Sequence, residues 1–249
     1  MTVALAHDRR GDGPLLVLVH GITENRHSWD PILADLASTH RVLRVDLRGH
    51  GESPRAEAYD VADLAADIEA LVDEPPLLVG HSLGGTVVTA YAAAFPARGV
   101  VNIDQSLNLA AMQAGLKQQE PLLCSEAFPM VITALFDSLR GQVPDAEWAR
   151  LTALRTYEPA VVLGIWSVLL DTTPEHLDAV VDAMITPITA PYLELNGFDL
   201  GPDYTAWLTG KLPQASVETW DGVGHYPHLV RPADFLARLA AFEASLVKP

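Results

Sequence analysis

The residues best placed to do chemistry are the five at 80–84, which are Gly-His-Ser-Leu-Gly. They follow a short apolar run and precede an alanine-rich segment, so the pattern predicts a serine on a sharp turn from a strand into a helix. Glycine at 80 and 84 would relieve the crowding of such a turn. The Ser82 hydroxyl is then expected above the sheet at a helix N-terminus, where developing negative charge is stabilised. This arrangement suits a serine nucleophile.

A second group of residues, His20-Gly21-Ile22, follows the first predicted strand at 15–19. Alone it would be an ordinary turn at a strand end. Beside Ser82, however, the backbone N–H of Ile22 and that of Leu83 could form an oxyanion hole. His20 and Gly21 are then expected to contact the substrate.

A serine nucleophile needs a base, and the chain has nine histidines from which to choose. His81 adjoins the serine on a tight turn, so its ring should point elsewhere. His225 lies between the last predicted strand and the last predicted helix, after Gly-Val-Gly at 222–224. His228 follows Pro227 at the start of that helix and is expected to pack. We therefore predict His225 as the general base.

The elements that would position these residues alternate between predicted strands and predicted helices. From residue 15 to about 105, short β-rich runs alternate with helical patterns, and the runs at 15–19 and 42–45 are nearly continuous apolar stretches. This predicts a mostly parallel central sheet flanked by helices. From 107 to 185 the periodicity is helical and divided by prolines. We predict an α/β core at 1–106 and 186–249, with a helical cap (lid) at 107–185.

The motifs and their order resemble the α/β-hydrolase fold. They are His-Gly at 20–21, Asp-Leu-Arg-Gly-His-Gly-Glu-Ser at 46–53, Gly-His-Ser-Leu-Gly-Gly at 80–85 and Gly-His at 224–225. The resemblance covers nearly the whole chain except the cap. It implies a serine nucleophile and the chain order serine, acid, histidine, but it does not name a substrate. It also implies that the cap is inserted after the sixth strand.

Two aspartates are the main candidates for the acid that orients His225, and Asp203 is a weaker one further along the loop of the first. The family commonly places it in a Gly-x-x-Asp turn after the penultimate strand, where this chain has Gly197-Phe198-Asp199, with the carboxylate one residue early. Some members take the acid from the end of the preceding strand, which here is Asp104. We prefer Asp199 and keep Asp104 as the alternative, since a strand-end aspartate can also be a structural cap.

The function these features favour is a cofactor-free serine hydrolase acting on a carboxylic ester, lactone or thioester. Serine at 82 argues against dehalogenase and epoxide hydrolase chemistry, which use aspartate there in this fold. A lyase, acyltransferase, C–C hydrolase or perhydrolase could use the same triad, and a ligand-binding receptor could keep the same fold. Trp166 and Phe198 are predicted to line a pocket for a small apolar or aromatic substrate.

Composition excludes several other classes of protein. The 249 residues carry 16 Lys+Arg against 32 Asp+Glu, a net charge of −16, which disfavours nucleic acid and anionic membrane surfaces. Cys124 is the only cysteine, and the acidic residues are scattered, so neither a disulfide nor a metal site is expected. The N-terminus lacks a signal-peptide layout and no apolar stretch approaches about 20 residues. We therefore expect a cytoplasmic monomer or homodimer.

Overall fold

A single seven-stranded sheet forms the centre of the protein. The computed structural model describes residues 1–246, so the last three positions of the predicted core lie outside it. The strands are β1 His7–Arg10, β2 Leu15–Val19, β3 Arg41–Val45, β4 Leu77–His81, β5 Gly99–Ile103, β6 Tyr192–Asn196 and β7 Ala215–Thr219. Their order is β1-β3-β2-β4-β5-β6-β7. β1 is antiparallel to β3 and every other pair is parallel, which confirms the predicted α/β sheet.

Helices cover both faces of this sheet. They are α1 Asp30–Ala37, α2 Val61–Glu69, α3 Leu83–Ala94, α4 Ala110–Leu123, α5 Phe128–Leu139, α6 Asp145–Leu154, α7 Pro159–Leu170, α8 Pro174–Ile185, α9 Gly201–Lys211, α10 Pro227–Val230 and α11 Pro232–Leu246. Because side chains alternate along a strand, Val17 packs with the cluster that includes α2 and α3, whereas Leu16 and Leu18 pack with α1 and α11. All five residues of β2 are buried.

Helices α4 to α8 all lie between β5 and β6. The insertion therefore follows the fifth strand of this chain, and the prediction that it follows the sixth strand is wrong. Prolines divide most of the segment as expected, since Pro159 and Pro174 are the first residues of their helices, where a missing N–H costs nothing. Pro121 is the exception, because it lies inside α4 and does not end that helix. Apolar residues of the insertion join the same buried cluster as one face of the sheet.

Two features are absent from residues 1–246. No single helix is long and apolar enough to cross a membrane, and only α6 and α7 taken together reach that length and composition, bent by 96°. No group of three or more His, Cys, Asp or Glu side chains is arranged to hold a metal ion.

Candidate active site

Ser82 lies on the turn between β4 and α3 with φ 54° and ψ −123°. A positive φ is unfavourable for a residue with a side chain, so the surrounding backbone must hold it. Its N–H donates to the carbonyl of Ile103 over 2.9 Å. A Cβ on Gly80 would overlap the carbonyl of Gly84, and a Cβ on Gly84 would overlap that of Val19. Both glycines are therefore required by close backbone approach, as the sequence predicts.

His225 is hydrogen-bonded to the carboxylate of Asp104. Nδ1 lies 2.5 Å from Oδ2, and the two side chains are 9% and 7% exposed. Asp104 directly follows β5 with φ 52°, and its Oδ1 accepts the N–H of Gly197 at 2.5 Å. Since a ring nitrogen facing a carboxylate must donate, Nδ1 carries the hydrogen and Nε2 is left to accept a proton.

The electrostatics of this pair suit a base. Burial works to raise the pKa of Asp104, but the hydrogen bond and charge of His225 and the N–H of Gly197 outweigh it, so the pKa lies below its usual value. Burial lowers the pKa of His225, against the opposing effect of the hydrogen bond to Asp104. At neutral pH the pair is therefore a carboxylate beside a neutral imidazole.

Asp199, the acid preferred on sequence grounds, is not at His225. Its side chain is exposed, and its Oδ1 accepts the N–H of Gly201 at 2.8 Å where α9 begins. The loop after β6 instead presents the backbone N–H of Gly197 to Asp104. The preference is thus corrected in favour of the alternative. The position of each aspartate relative to its strand could have indicated the acid, because Asp104 follows β5 immediately whereas Asp199 lies three residues after β6.

Ser82, Asp104 and His225 line one cavity of about 490 Å³. Within the described residues the side chains of Ser82 and His225 are not hydrogen-bonded to each other; such bonds often tighten only when substrate is present. Helices α4, α5 and α7 supply an apolar wall made of Met112, Leu116, Leu123, Val131, Leu135, Phe136, Leu139 and Trp166. Among the described lining residues, Asp104 is the only carboxylate and no lysine or arginine is present.

The predicted oxyanion hole adjoins the serine. Ile22 is in the cavity wall, and a Cβ on Gly21 would lie 3.3 Å from the Cβ of Ser82. Leu83 is the first residue of α3. The N–H groups of Ile22 and Leu83 donate no hydrogen bond to any part of residues 1–246. Two unengaged donors therefore belong to the segments that meet at Ser82, which is what an oxyanion hole requires.

Two of the four predicted substrate contacts line the cavity. Trp166 and Phe198 are in its wall, whereas His20 and Gly21 are not. His20 is fully buried; its Nδ1 donates to the carbonyl of Gly21 at 2.7 Å and its Nε2 accepts the N–H of Leu47 at 3.0 Å. Because both ring nitrogens are engaged, His20 holds the loop after β3 against the end of β2, and its predicted substrate contact is wrong.

Comparison with known proteins identifies the family of this chain. The sequence matches the model of the Alpha/beta hydrolase family over residues 16–239, which is most of the chain. The protein belongs to the alpha/beta hydrolase family. Its sheet order and the helices inserted after β5 are the scaffold on which this α/β hydrolase carries Ser82 and His225.

Several proteins similar to this α/β hydrolase are named as a lipase, a hydrolase or an esterase. The sn-1-specific diacylglycerol lipase ABHD11 of Mus musculus is 26% identical over 252 residues, which are 93% of this chain and 81% of the lipase. The 2-(acetamidomethylene)succinate hydrolase of Mesorhizobium japonicum is 33% identical over 168 residues, 60% of this chain and 57% of that hydrolase. The esterase RhEst1 from Rhodococcus superposes with a TM-score of 0.70 at 26% identity, covering 98% and 95% of the two chains. These relatives support a hydrolase.

Behind His225 the α/β hydrolase carries a buried polar cluster that sequence reasoning missed. Tyr226 Oη donates to Glu24 Oε1 at 2.9 Å and accepts an N–H of Arg155 at 2.7 Å. His81 Nε2 donates to the carbonyl of His225 at 2.8 Å, and its Nδ1 lies 3.8 Å from Glu24 Oε2. These residues come from segments far apart in the chain, so no local pattern marks them.

A second buried cluster centres on Glu194 in β6. Its carboxylate accepts from Asn196 Nδ2 at 3.0 Å and from Asn102 Nδ2 at 3.4 Å. The Oδ1 atoms of both asparagines are buried without a hydrogen-bond partner in the described residues. Burial raises the pKa of Glu194 to about 7, the charge of Asp104 adds to the rise, and hydrogen bonds from Tyr204 and the two asparagines oppose it.

Replacing Glu194 by glutamine is therefore expected to stabilise the protein at alkaline pH. A native pKa raised from 4.5 to about 7 means that the native state holds this proton more tightly than the unfolded chain, so the free energy of unfolding falls as pH rises through that window. The difference amounts to about 3 kcal/mol above the window. Glutamine stays neutral, and its oxygen can keep one of the two hydrogen bonds from the asparagines. Its NH2 group can donate to the Oδ1 of the other asparagine once that side-chain amide turns over.

Urea unfolding of both proteins at about pH 4 and about pH 8 measures this effect. The advantage of Glu194→Gln should be present at the higher pH and absent at the lower. Glu126→Gln, at an exposed position of the insertion, is the matched control and should change nothing. An equal advantage at both pH values would contradict the titration argument.

Proposed function

We propose that this α/β hydrolase cleaves carboxylic esters, lactones or thioesters through an acyl-enzyme on Ser82. The observation that carries the proposal is the hydrogen bond from His225 to Asp104 at the wall of the cavity that also contains Ser82. A neutral imidazole oriented by a carboxylate through one nitrogen is suited to take a proton from serine through the other. The lipase and esterase relatives agree with this chemistry.

In the proposed first half-reaction, Ser82 Oγ attacks the carbonyl carbon while His225 Nε2 takes the hydroxyl proton. Asp104 keeps the Nδ1 hydrogen in place and stabilises the imidazolium. The N–H groups of Ile22 and Leu83 bind the negative oxygen of the tetrahedral intermediate. Its collapse breaks the bond to the leaving alkoxide or thiolate, which takes the proton from His225 and departs.

The second half-reaction releases the acyl group. Water attacks the carbonyl carbon of the acyl-Ser82 ester, and His225 Nε2 accepts a proton from the water as the new C–O bond forms. Collapse of this second intermediate breaks the bond to Ser82 Oγ, which recovers the proton from His225. The products are a carboxylic acid and free enzyme, so no cofactor enters the balance.

The cavity favours a neutral, apolar acyl group. Among residues 1–246 its wall combines many apolar side chains with a single carboxylate, Asp104, and no lysine or arginine. An anionic acyl group would therefore be repelled by Asp104 and would find no counter-ion among these lining residues. Phe198 and Leu200 line the cavity and remain 37% and 38% exposed, which extends the apolar surface outward. We propose small to mid-sized apolar or aromatic substrates, with residues 107–185 as the cap over them.

An aryl-ester assay combined with covalent labelling tests this function. The enzyme is offered p-nitrophenyl acetate, butyrate and octanoate and, separately, an alkyl fluorophosphonate, which phosphonylates activated serines with loss of fluoride. Turnover of the esters, and one label mapped to Ser82 by peptide mass spectrometry, are expected. Ser106→Ala, which removes another serine hydroxyl of the cavity wall, should keep both activities. Labelling without turnover of any ester would overturn the hydrolase in favour of a binding protein.

A further inference from the structure

We propose that Arg155, contributed by the helical insertion, is a positioning residue that aligns His225 and the Ile22 turn through Tyr226 and Glu24. The inference rests on the proposed function, because Arg155 does not touch the cavity and has no chemical step of its own. It gives the insertion a part in catalysis beyond enclosing the substrate.

Arg155 is held firmly at the junction between the insertion and the sheet. It follows α6, its side chain is 1% exposed, and its guanidinium carbon lies 4.2 Å from the centre of the Phe136 ring and 4.5 Å from that of Trp148. The adjoining N–H of Thr156 donates to the carbonyl of Thr23 at 2.9 Å. This packing limits how far the guanidinium can move. We therefore infer that it fixes the position of the residue to which it donates a hydrogen bond.

That partner, Tyr226, is the residue directly after the proposed base. Its ring is fully buried, and its hydroxyl bridges Arg155 and Glu24. The insertion also contacts His225 itself, since the N–H of His225 donates to the carbonyl of Leu139 at 3.0 Å. Two hydrogen bonds between the insertion and this short segment, one at His225 and one at Tyr226, therefore hold the backbone that carries the imidazole.

Glu24 connects the same cluster to the proposed oxyanion hole. It lies two residues after Ile22, and its N–H donates to the carbonyl of Gly21 at 3.2 Å. Its Oε1 accepts the hydroxyl of Tyr226 and lies 3.9 Å from Arg155 Nη2. Burial works to raise the pKa of the Glu24 carboxyl, but the nearby His81 and Arg155 and the hydrogen bond from Tyr226 outweigh it, so the pKa lies below its usual value. A buried ionised carboxylate needs its partners, so Glu24 and Arg155 hold each other in place. They thereby also hold the turn at residues 21–24, which contains Ile22.

A residue that only stabilises the fold would give the same contacts, so the test must separate positioning from support. We compare Tyr226→Phe, Arg155→Met, the double variant and the conservative Arg155→Lys. Arg150→Met is the matched control: Arg150 also joins the insertion to the core, donating to the carbonyls of His27 and Ser28 at 2.7 and 3.1 Å. No hydrogen bond joins it to the segment carrying His225 within the described residues.

The readouts are kcat and KM for p-nitrophenyl butyrate and the rate at which Ser82 is labelled by a methyl fluorophosphonate. The small probe needs the serine, the base and the oxyanion hole but not the apolar wall. Tyr226→Phe and Arg155→Met should each lower kcat and the labelling rate by about tenfold, with KM changed by less than about twofold. The double variant should lose no more than either single one, Arg155→Lys should recover part of the loss, and Arg150→Met should match the wild type.

Two results would overturn the inference. A raised KM with an unchanged labelling rate would mean that Arg155 only supports Phe136 in the cavity wall, and equal losses in Arg155→Met and Arg150→Met would mean a general tether. If Arg155→Met does not fold, Tyr226→Phe, which removes only one oxygen atom, tests the inference on its own. A wild type that is not labelled refutes the proposed function, whereas a labelled wild type with variants labelled equally fast refutes this inference only.

Discussion

Replacing Ser82 by alanine is expected to lower kcat for p-nitrophenyl butyrate by roughly 10³- to 10⁶-fold, because without a nucleophile only the oxyanion donors and substrate binding still contribute to catalysis. The substitution should leave the fold unchanged. Alanine has the same backbone requirements as serine at φ 54°, and the N–H bond to the carbonyl of Ile103 does not involve the side chain.

The measurement is steady-state turnover, with thermal unfolding followed by circular dichroism on the same samples. The unfolding temperature of Ser82→Ala should stay within about 2 °C of the wild type, since the Ser82 side chain makes no capping hydrogen bond at the start of α3. Ser106→Ala serves as the control for removing a hydroxyl from the cavity wall. A folded Ser82→Ala protein that turns over ester at the wild-type rate would exclude an acyl-enzyme on this residue.

The serine turn could be predicted from sequence because its strain is local. The backbone at Ser82 is possible only if residues two positions before and after it lack side chains, so Gly80, Ser82 and Gly84 must stand at fixed spacing in the chain. The buried strands can be recognised in the same way, since β2 and the first three residues of β4 are short apolar runs, and every residue of both strands is buried. Each of these features can be recognised in a window of a few residues.

The acid could not be chosen in this way because its identity depends on how two loops approach each other. A Cβ on Gly197 would overlap the carbonyl of Gly224, and the N–H of Gly224 donates to the carbonyl of Gly197 at 3.2 Å. The loop after β6 therefore meets the loop of His225 through its backbone, and Asp199 lies beyond that contact. The carboxylate comes instead from Asp104, which is 121 residues away from His225 in the chain.

The same reason explains the other departures. His20 has the sequence context of a substrate contact, yet its Nε2 accepts the N–H of Leu47. Leu47 comes near His20 only because β3 pairs with β2. The cluster of Arg155, Tyr226 and Glu24 joins an inserted helix segment, the loop of His225 and the turn after β2. Its members carry no shared spacing, so only the folded chain reveals it.

Replacing Asp104 by asparagine is expected to lower kcat by about 10³- to 10⁴-fold, whereas Asp199→Asn should stay within about twofold of the wild type. Asparagine can present an amide N–H to His225 Nδ1, which then accepts and leaves the hydrogen on Nε2, the tautomer that cannot take a proton from Ser82. The negative charge that stabilises the imidazolium is lost as well. The isosteric amide can still accept the N–H of Gly197 through its oxygen, so folding should survive.

The pair of variants separates the two candidate acids in one experiment, read as kcat and as the rate of fluorophosphonate labelling. If Asp104 orients the base, both readouts fall together in Asp104→Asn, because labelling also needs Ser82 to lose its proton to His225. Should Asp199→Asn show the larger loss, the loop after β6 would have to rearrange in solution to bring an exposed carboxylate to His225. That rearrangement would break the backbone bond between Gly197 and Gly224, so we expect Asp104 to carry the effect.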